Sequence, residues 1–133
     1  MVVDANGAAT LRRMLRLLVI DDEPAIRMVV AAPLRRAGYE VEQAGGGTEA
    51  LARLAQGGID LALCDWSMPD MTGLEVLRQS RASGQSVPFV MMTAFGAEET
   101  AQEALAAGAS DYLVKPVPSA ELLERIARAL PPS

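Results

Sequence analysis

"LLVIDDEP", residues 17–24, joins four apolar residues directly to three acids and a proline. The apolar run predicts a buried strand, and Pro24 suits the first turn of a following helix. Like charges repel strongly where water is scarce, so three neighbouring acids at the end of a buried strand require an explanation. An acidic first helical turn would explain Glu23, because the helix dipole favours negative charge there. A metal site that uses Asp21 and Asp22 is the alternative.

The chain on either side of this stretch alternates short apolar runs with segments of helical period. Predicted strands span 15–20, 39–44, 59–64, 88–93 and 112–114, and predicted helices span 25–37, 48–56, 74–81, 98–107 and 119–130. This alternation is typical of an α/β fold, and we expect a single doubly wound sheet of five parallel strands in the order 2-1-3-4-5. Ser119 is the expected N-cap of the last helix. Pro33 is expected to kink or end the first helix, because proline removes a backbone donor.

One domain is expected to occupy most of the 133 residues, half of which are hydrophobic. We assign residues 15–130 to this domain, 1–14 to a flexible N-terminal extension and 131–133 to a C-terminal tail. A net charge of −5 without a basic run argues against direct binding of nucleic acid. The sequence predicts neither membrane insertion nor a signal peptide, and the single Cys64 can form no internal disulfide, so a cytoplasmic location is expected.

Two features of the composition narrow the chemistry. Histidine is absent, which removes the commonest general base and any phosphohistidine made by this chain alone. Lys115 is the only lysine among twelve basic residues. A lysine is a compact charge on a flexible stem and does not replace an arginine fork. Its place at the end of the last predicted strand therefore indicates a specific role.

Polar side chains follow the predicted strands at their carboxyl ends. Ligands of doubly wound sheets bind outside these ends, where the strand order reverses, here between the first and third strands. Asp21 and Asp22 follow the first strand, and Asp65 follows the third. The fourth strand ends in Thr93, and the fifth brings Lys115 to the same edge. Each pair of carboxylates about 4 Å apart costs roughly 4 kcal/mol at an effective dielectric near 20. A hard divalent cation such as Mg2+, which prefers oxygen ligands, relieves that repulsion.

This set of residues resembles the receiver domain of two-component response regulators, a flavodoxin-like fold, over residues 15–130. The resemblance implies that Asp65 is the phosphoacceptor. It also implies that Lys115 and Thr93 contact the phosphoryl oxygens, and that Thr93 and Tyr112 form the switch. Phe95, two residues beyond Thr93, is expected to screen the acyl phosphate from water and to slow its hydrolysis.

The resemblance also implies a metal site without any organic cofactor. Mg2+ would be bound by Asp22, by Asp65 and by the backbone carbonyl of Ser67, and Asp21 would bind it through water. The family also places a cis peptide bond at Lys115–Pro116, because tertiary amides before proline accept the cis form more readily than others do.

The implied function is a phosphorylation-activated switch in a two-component phosphorelay, and not an enzyme that acts on a separate substrate. A carboxylate nucleophile needs no general base. Because the chain lacks histidine, the phosphoryl group must come from a sensor histidine kinase, a histidine phosphotransfer protein or a small donor. Phosphorylation is expected to change the surface of the fourth helix, fifth strand and fifth helix for a downstream protein partner. A phosphorylation-dependent homodimer is a further expectation.

Other functions are compatible with parts of the sequence. A receiver used only for docking, without phosphorylation, would keep the same fold. A haloacid-dehalogenase-type phosphatase also uses an aspartate nucleophile, but it needs a second acid where Ser67 stands. The glycine-rich residues 45–48 are interpreted as a turn plus N-cap, since they follow the edge strand and lack the full phosphate-binding fingerprint. No DNA-binding segment follows residue 130, which favours a stand-alone receiver or a relay intermediate, with a longer native protein as the alternative.

Overall fold

A five-stranded parallel sheet forms the centre of the protein in the computed structural model, which describes residues 2–3, 9–10, 14–94 and 98–131. The strands are β1 (Arg16–Ile20), β2 (Glu40–Ala44), β3 (Leu61–Asp65), β4 (Phe89–Thr93) and β5 (Asp111–Val114). Their order is β2-β1-β3-β4-β5, with parallel pairing throughout. The predicted order 2-1-3-4-5 is confirmed.

Five helices cover the two faces of this sheet. They are α1 (Pro24–Arg36), α2 (Gly47–Ala55), α3 (Gly73–Ala82), α4 (Glu98–Ala106) and α5 (Ser119–Ala129). Helices α2, α3 and α4 contribute to the hydrophobic cluster on one face, and α1 and α5 contribute to the cluster on the other. The inner strands are therefore buried from both sides, which explains why they appear in the sequence as continuous apolar runs.

The edge strand differs from the inner strands in a way that its sequence predicts. Every residue of β3 and β4 is buried, whereas β2 is only half-buried over most of its length. The two faces of β1 alternate, because Leu18 and Ile20 join one hydrophobic cluster and Leu17 and Val19 join the other. This alternation fixes the register of β1 and with it the position of the acids that follow.

Two local predictions about helix ends are corrected. Helix α1 continues for three residues beyond Pro33, so its predicted early end is wrong, while a kink there stays a prediction. Pro33 is itself buried beside the fully buried Leu34. This packing stabilises the helix and offsets the one backbone hydrogen bond that proline removes. The N-cap of α5 is Pro118 and not Ser119. Leu122 N donates to the Pro118 carbonyl oxygen at 3.0 Å, so the helical hydrogen bonds begin one residue earlier than predicted.

The N-terminal segment contains more structure than a simple tail. Two short strands, Val2–Val3 and Ala9–Thr10, pair antiparallel within the predicted extension. The flexibility of that extension and the domain limits at residues 15 and 130 stay predictions, and Phe95 lies outside the described residues. Among the helices of the described part of the chain, none is both long and apolar enough to cross a membrane.

Candidate functional site

The carboxyl ends of β1 and β3 bring the predicted acids together. Ile20 and Cys64 are register partners on these neighbouring strands, so the residues that follow them, Asp21 and Asp65, lie side by side. With Asp22 they offer three carboxylate oxygens that all lie within 4.8 Å of one another. The side chains of Asp21 and Asp65 are buried although they are acidic. The sequence-predicted acidic cluster therefore exists as a compact group.

Lys115 reaches this group from the end of β5. Its Nζ lies 2.7 Å from Asp21 Oδ2 and 3.0 Å from Asp65 Oδ1. The Lys115 backbone N donates to the Thr93 carbonyl oxygen at 2.7 Å, and the Lys115–Pro116 peptide bond is cis, as expected. We call this set the rim cluster. Its members are Asp21, Asp22, Asp65 and Lys115.

The electrostatics of the rim cluster favour an additional positive charge. Burial raises the pKa of Asp65, Lys115 opposes that shift, and the neighbouring Asp21 and Asp22 add to it. Burial alone would lower the pKa of Lys115, but its hydrogen bonds to Asp21 and Asp65 outweigh burial and raise that pKa. Three carboxylates thus face a single ammonium group. Neighbouring oxygens in an octahedral Mg2+ site with bonds of about 2.1 Å lie about 3 Å apart, so these carboxylates could converge on such an ion.

The loop between β1 and α1 is held by contacts that sequence reasoning missed. Arg27 Nη1 donates to the Asp21 carbonyl oxygen at 2.6 Å, and Arg27 Nε donates to Gln43 Oε1 at 3.1 Å. Asp21 Oδ1 also accepts the Glu23 backbone N–H at 2.9 Å. These bonds fix the backbone from which Asp21 and Asp22 project. The only signal for Arg27 in the sequence was a basic residue shortly after the acidic turn.

The loop after Asp65 is closed tightly against the end of β3. Gly73 N donates to the Trp66 carbonyl oxygen at 2.8 Å, and Trp66 N donates to the Met92 carbonyl oxygen at 2.8 Å. A Cβ atom at Gly73 would overlap the Asp65 carbonyl group, so only glycine permits this return of the chain. Ser67, the predicted carbonyl ligand, lies in this loop and its side chain is exposed.

The two predicted switch residues share one face of the sheet. Thr93 is buried at the end of β4. Tyr112 on β5 is half-buried and pairs with Met91, two residues before Thr93. Because side chains two residues apart point to the same face of a strand, Thr93 and Tyr112 lie on the side covered by α3 and α4. The structure thus places Thr93 at the same end of the sheet as the rim cluster, with Tyr112 further from that end on the same face.

Comparison with known proteins gives the family. The model of the response regulator receiver domain matches residues 17–127. The chain belongs to this family. The resemblance stated from its motifs is therefore confirmed, and receiver domains are signalling modules of two-component systems.

Relatives with known names and structures agree with this family. The chain is 41% identical over 120 residues to the transcriptional regulatory protein ZraR of Salmonella typhimurium. The match covers 90% of this chain and 27% of that protein. The chain therefore spans about a quarter of the length of such curated relatives.

Two solved structures share both the fold and part of the sequence. The chemotaxis protein CheY4 of Vibrio cholerae matches with a TM-score of 0.84 and 39% identity, over 89% of this chain and 100% of that one. The response regulator TrrA of Thermotoga maritima, solved in complex with Mg2+-BeF, matches with a TM-score of 0.80 and 35% identity, over 88% and 100%. The acidic cluster of the present receiver lies in a family in which Mg2+ binding is typical.

Proposed function

We propose that this receiver accepts a phosphoryl group on Asp65 from a sensor histidine kinase or a histidine phosphotransfer protein. The observation that carries the proposal is the position of the buried Asp65 carboxylate, 3.0 Å from the ammonium of Lys115 and beside two further acids. Phosphoryl transfer depends mainly on positioning and charge neutralisation, and this arrangement provides both.

The proposed reaction needs little from the protein beyond the rim cluster. An oxygen of Asp65 attacks the phosphorus of a phosphohistidine, an O–P bond forms, the N–P bond breaks, and the released imidazole takes up a proton. Lys115 neutralises charge on the phosphoryl oxygens, and Thr93 donates a hydrogen bond to one of them. Asp22, Asp65 and the Ser67 carbonyl would hold Mg2+, with Asp21 bound through water. The bound ion would supply the remaining neutralisation of charge.

The proposed output is a change of surface on α4, β5 and α5. The phosphorylated Asp65 gains negative charge and acceptor oxygens, which attract Thr93. Movement of Thr93 would leave space that Tyr112 can fill from the same face of the sheet. The altered surface would bind a downstream protein or a second phosphorylated copy of the chain. We place the domain at residues 15–130, between the extension 1–14 and the tail 131–133, and its action in the cytoplasm on the basis of family membership.

The experiment uses Trp66, which is the only tryptophan and the direct neighbour of Asp65. Its fluorescence should respond to Mg2+, and again to beryllium fluoride or acetyl phosphate. In Asp65→Asn the second response should vanish, and intact-mass spectra should show one phosphoryl group in the wild type and none in the variant. A wild type that binds Mg2+ but gains no phosphoryl group from any donor would instead favour a docking receiver.

A further inference from the structure

The loop that follows the phosphoacceptor is attached to a second helix through one carboxylate. Asp70, in this loop, accepts three backbone N–H groups. Its Oδ1 accepts from Gly47 N at 3.1 Å and from Met71 N at 3.0 Å, and its Oδ2 accepts from Thr48 N at 2.9 Å. Gly47 and Thr48 form the first turn of α2, more than twenty residues earlier in the chain. The bonds therefore join the phosphoacceptor loop to the N-terminus of α2.

Helix α2 depends on this external acceptor. The first N–H groups of a helix have no partner within it, and the helix dipole makes that end positive. The N-cap of α2 is Gly46, which has no side chain and therefore makes no side-chain cap hydrogen bond. Asp70 supplies the missing acceptor from another part of the fold. The hydrogen bonds from Thr48 and Gly47 accordingly lower the pKa of Asp70.

The glycine-rich run before α2 allows the loop to come this close. A Cβ atom at Gly46 would lie 3.0 Å from both carboxylate oxygens of Asp70, and a Cβ at Gly47 would overlap the side chains of Met71 and Val76. Gly46 has an extended backbone (φ −178°), which any residue can adopt, so its requirement is for space. Gly46 and Gly47 thus leave room for Asp70 and Met71, in addition to forming the predicted turn and N-cap.

We propose that Asp70 is a positioning residue for the metal site. By holding residues 66–72 against α2, it fixes the backbone of Ser67, whose carbonyl oxygen is the ligand that the proposed metal site takes from this loop. The proposal rests on the proposed function, because it assumes that the rim cluster binds Mg2+. Removing groups that orient metal ligands typically weakens metal binding by roughly 10–100-fold, so the contribution of Asp70 is measurable.

Two further variants separate positioning from charge. Glu49 Oε2 accepts the Gly45 backbone N–H at 2.8 Å, and Glu49 lines the same groove as Asp22 and Asp70. Glu49→Ala removes one negative charge near the site, together with the bond to Gly45 N, while the partners of Asp70 remain. Gly46→Ala does the opposite, because it pushes on the Asp70 carboxylate without changing any charge.

The experiment is an Mg2+ titration of the full chain, followed through Trp66 fluorescence well below the unfolding temperature. We expect Asp70→Ala to raise the Kd for Mg2+ by roughly ten-fold. Glu49→Ala should raise it by only about two-fold, because salt screens its charge. Gly46→Ala should also raise the Kd. Asp70→Asn keeps an acceptor oxygen, so its affinity for Mg2+ should be close to that of the wild type. Amide hydrogen exchange at Gly47 and Thr48 should accelerate in Asp70→Ala and not in Glu49→Ala.

Equal shifts in Asp70→Ala and Glu49→Ala, with Gly46→Ala unchanged, would overturn the positioning role and leave the proposed function intact. If Mg2+ changes neither the Trp66 fluorescence nor the thermal unfolding of the wild type, both proposals are overturned together. If Asp70→Ala does not fold, Gly46→Ala and Asp70→Asn decide, because each keeps a polar acceptor at residue 70.

Discussion

Two networks of charged residues lie at opposite ends of β1 and differ in charge balance and burial. The first, which we call the edge ladder, joins Arg16 to Glu40 at 2.7 Å and to Glu42 at 3.3 Å, and it joins Arg53 to Glu42. Two arginines meet two glutamates there, and their side chains are 19–43% exposed. The edge ladder is neutral in sum and in contact with water.

The rim cluster at the other end of β1 is not neutral, and two of its members, Asp21 and Asp65, are buried. It sets three carboxylates against one ammonium, and Asp21 is only 1% exposed. Exposed ion pairs contribute little to stability because water competes for both partners, whereas a buried and unbalanced group raises the free energy of the folded state until another charge arrives. The difference indicates that the edge ladder has a structural role at the edge of the sheet. The rim cluster, with its excess negative charge, is suited to binding a cation.

The largest expected effect comes from removing the single cation of the rim cluster. Lys115→Met keeps an apolar stem of similar length and leaves Asp21 and Asp65 without their partner. We expect the free energy of unfolding in EDTA to fall by about 3 kcal/mol, the lower end for a broken buried pair because Lys115 is 21% exposed. Urea denaturation measures this change, with Arg128→Met, which breaks an exposed pair, as the control. A loss equal to that of the control would contradict the contrast between the networks.

Addition of Mg2+ should raise the free energy of unfolding of the wild type by nearly as much as Lys115→Met lowers it. A ligand that binds only the folded state at about 100 times its Kd stabilises it by about 2.7 kcal/mol. Thermal unfolding with and without Mg2+ measures the shift, and NaCl of equal ionic strength controls for screening. In Asp22→Asn the shift should become much smaller. An equal shift in NaCl would show that screening, and not binding, is responsible.

Neutralising the phosphoacceptor should stabilise the metal-free protein. Burial raises the pKa of Asp65 above its unfolded value, so the folded state holds that proton more tightly. The contribution of Asp65 to stability therefore falls as the pH rises from the unfolded pKa of about 4 through the raised folded pKa. Asp65→Asn should raise the free energy of unfolding at pH 7 by roughly 1 kcal/mol.

The pH profile gives the control for this variant. Asp65→Asn should gain stability relative to the wild type only above the unfolded pKa, and saturating Mg2+ should reduce the difference. Urea denaturation between pH 4 and pH 8 measures both, with the range set by the unfolded pKa of about 4. A gain that is constant over that range would point to packing instead of charge.

The smallest effect is expected in the edge ladder. A double-mutant cycle of Arg16→Ala and Glu40→Ala should give a coupling of about 0.5 kcal/mol, because both side chains are substantially exposed. The coupling should shrink as salt is added. Denaturation of the four proteins at low and high ionic strength measures it. A coupling as large as the effect of Lys115→Met would remove the distinction between the two networks.

The fold was predictable because its signals are local. Buried inner strands appear as apolar runs, and covering helices appear as periodic segments, so strand order followed from a small set of known arrangements. Helix ends were less predictable. Ser119 has the preferred side chain for a cap, yet the chain geometry at Pro118 starts α5, and the packing of Leu34 carries α1 past Pro33.

The site was predictable only in part, because only some of its signals are local. Strand ends meet at one edge of a parallel sheet, so Asp21, Asp65 and Lys115 could be assigned to one place before their distances were known. Arg27 and Asp70 could not, because nothing in their neighbourhood indicates the distant backbone groups that they bind. Their partners depend on how α1 and α2 pack beside the loops.

The sequence alone determined which segments form strands and helices, and which chemical groups stand at the strand ends. Periodicity and residue type are properties of neighbouring residues, so they can be recognised without a structure. The tertiary structure decided that Lys115 bonds both Asp21 and Asp65, and that the carboxylate of Asp70 caps a helix far away in the chain. Such partners are set by the packing of whole elements, because a hydrogen bond depends on ångström-scale positions that no local pattern fixes.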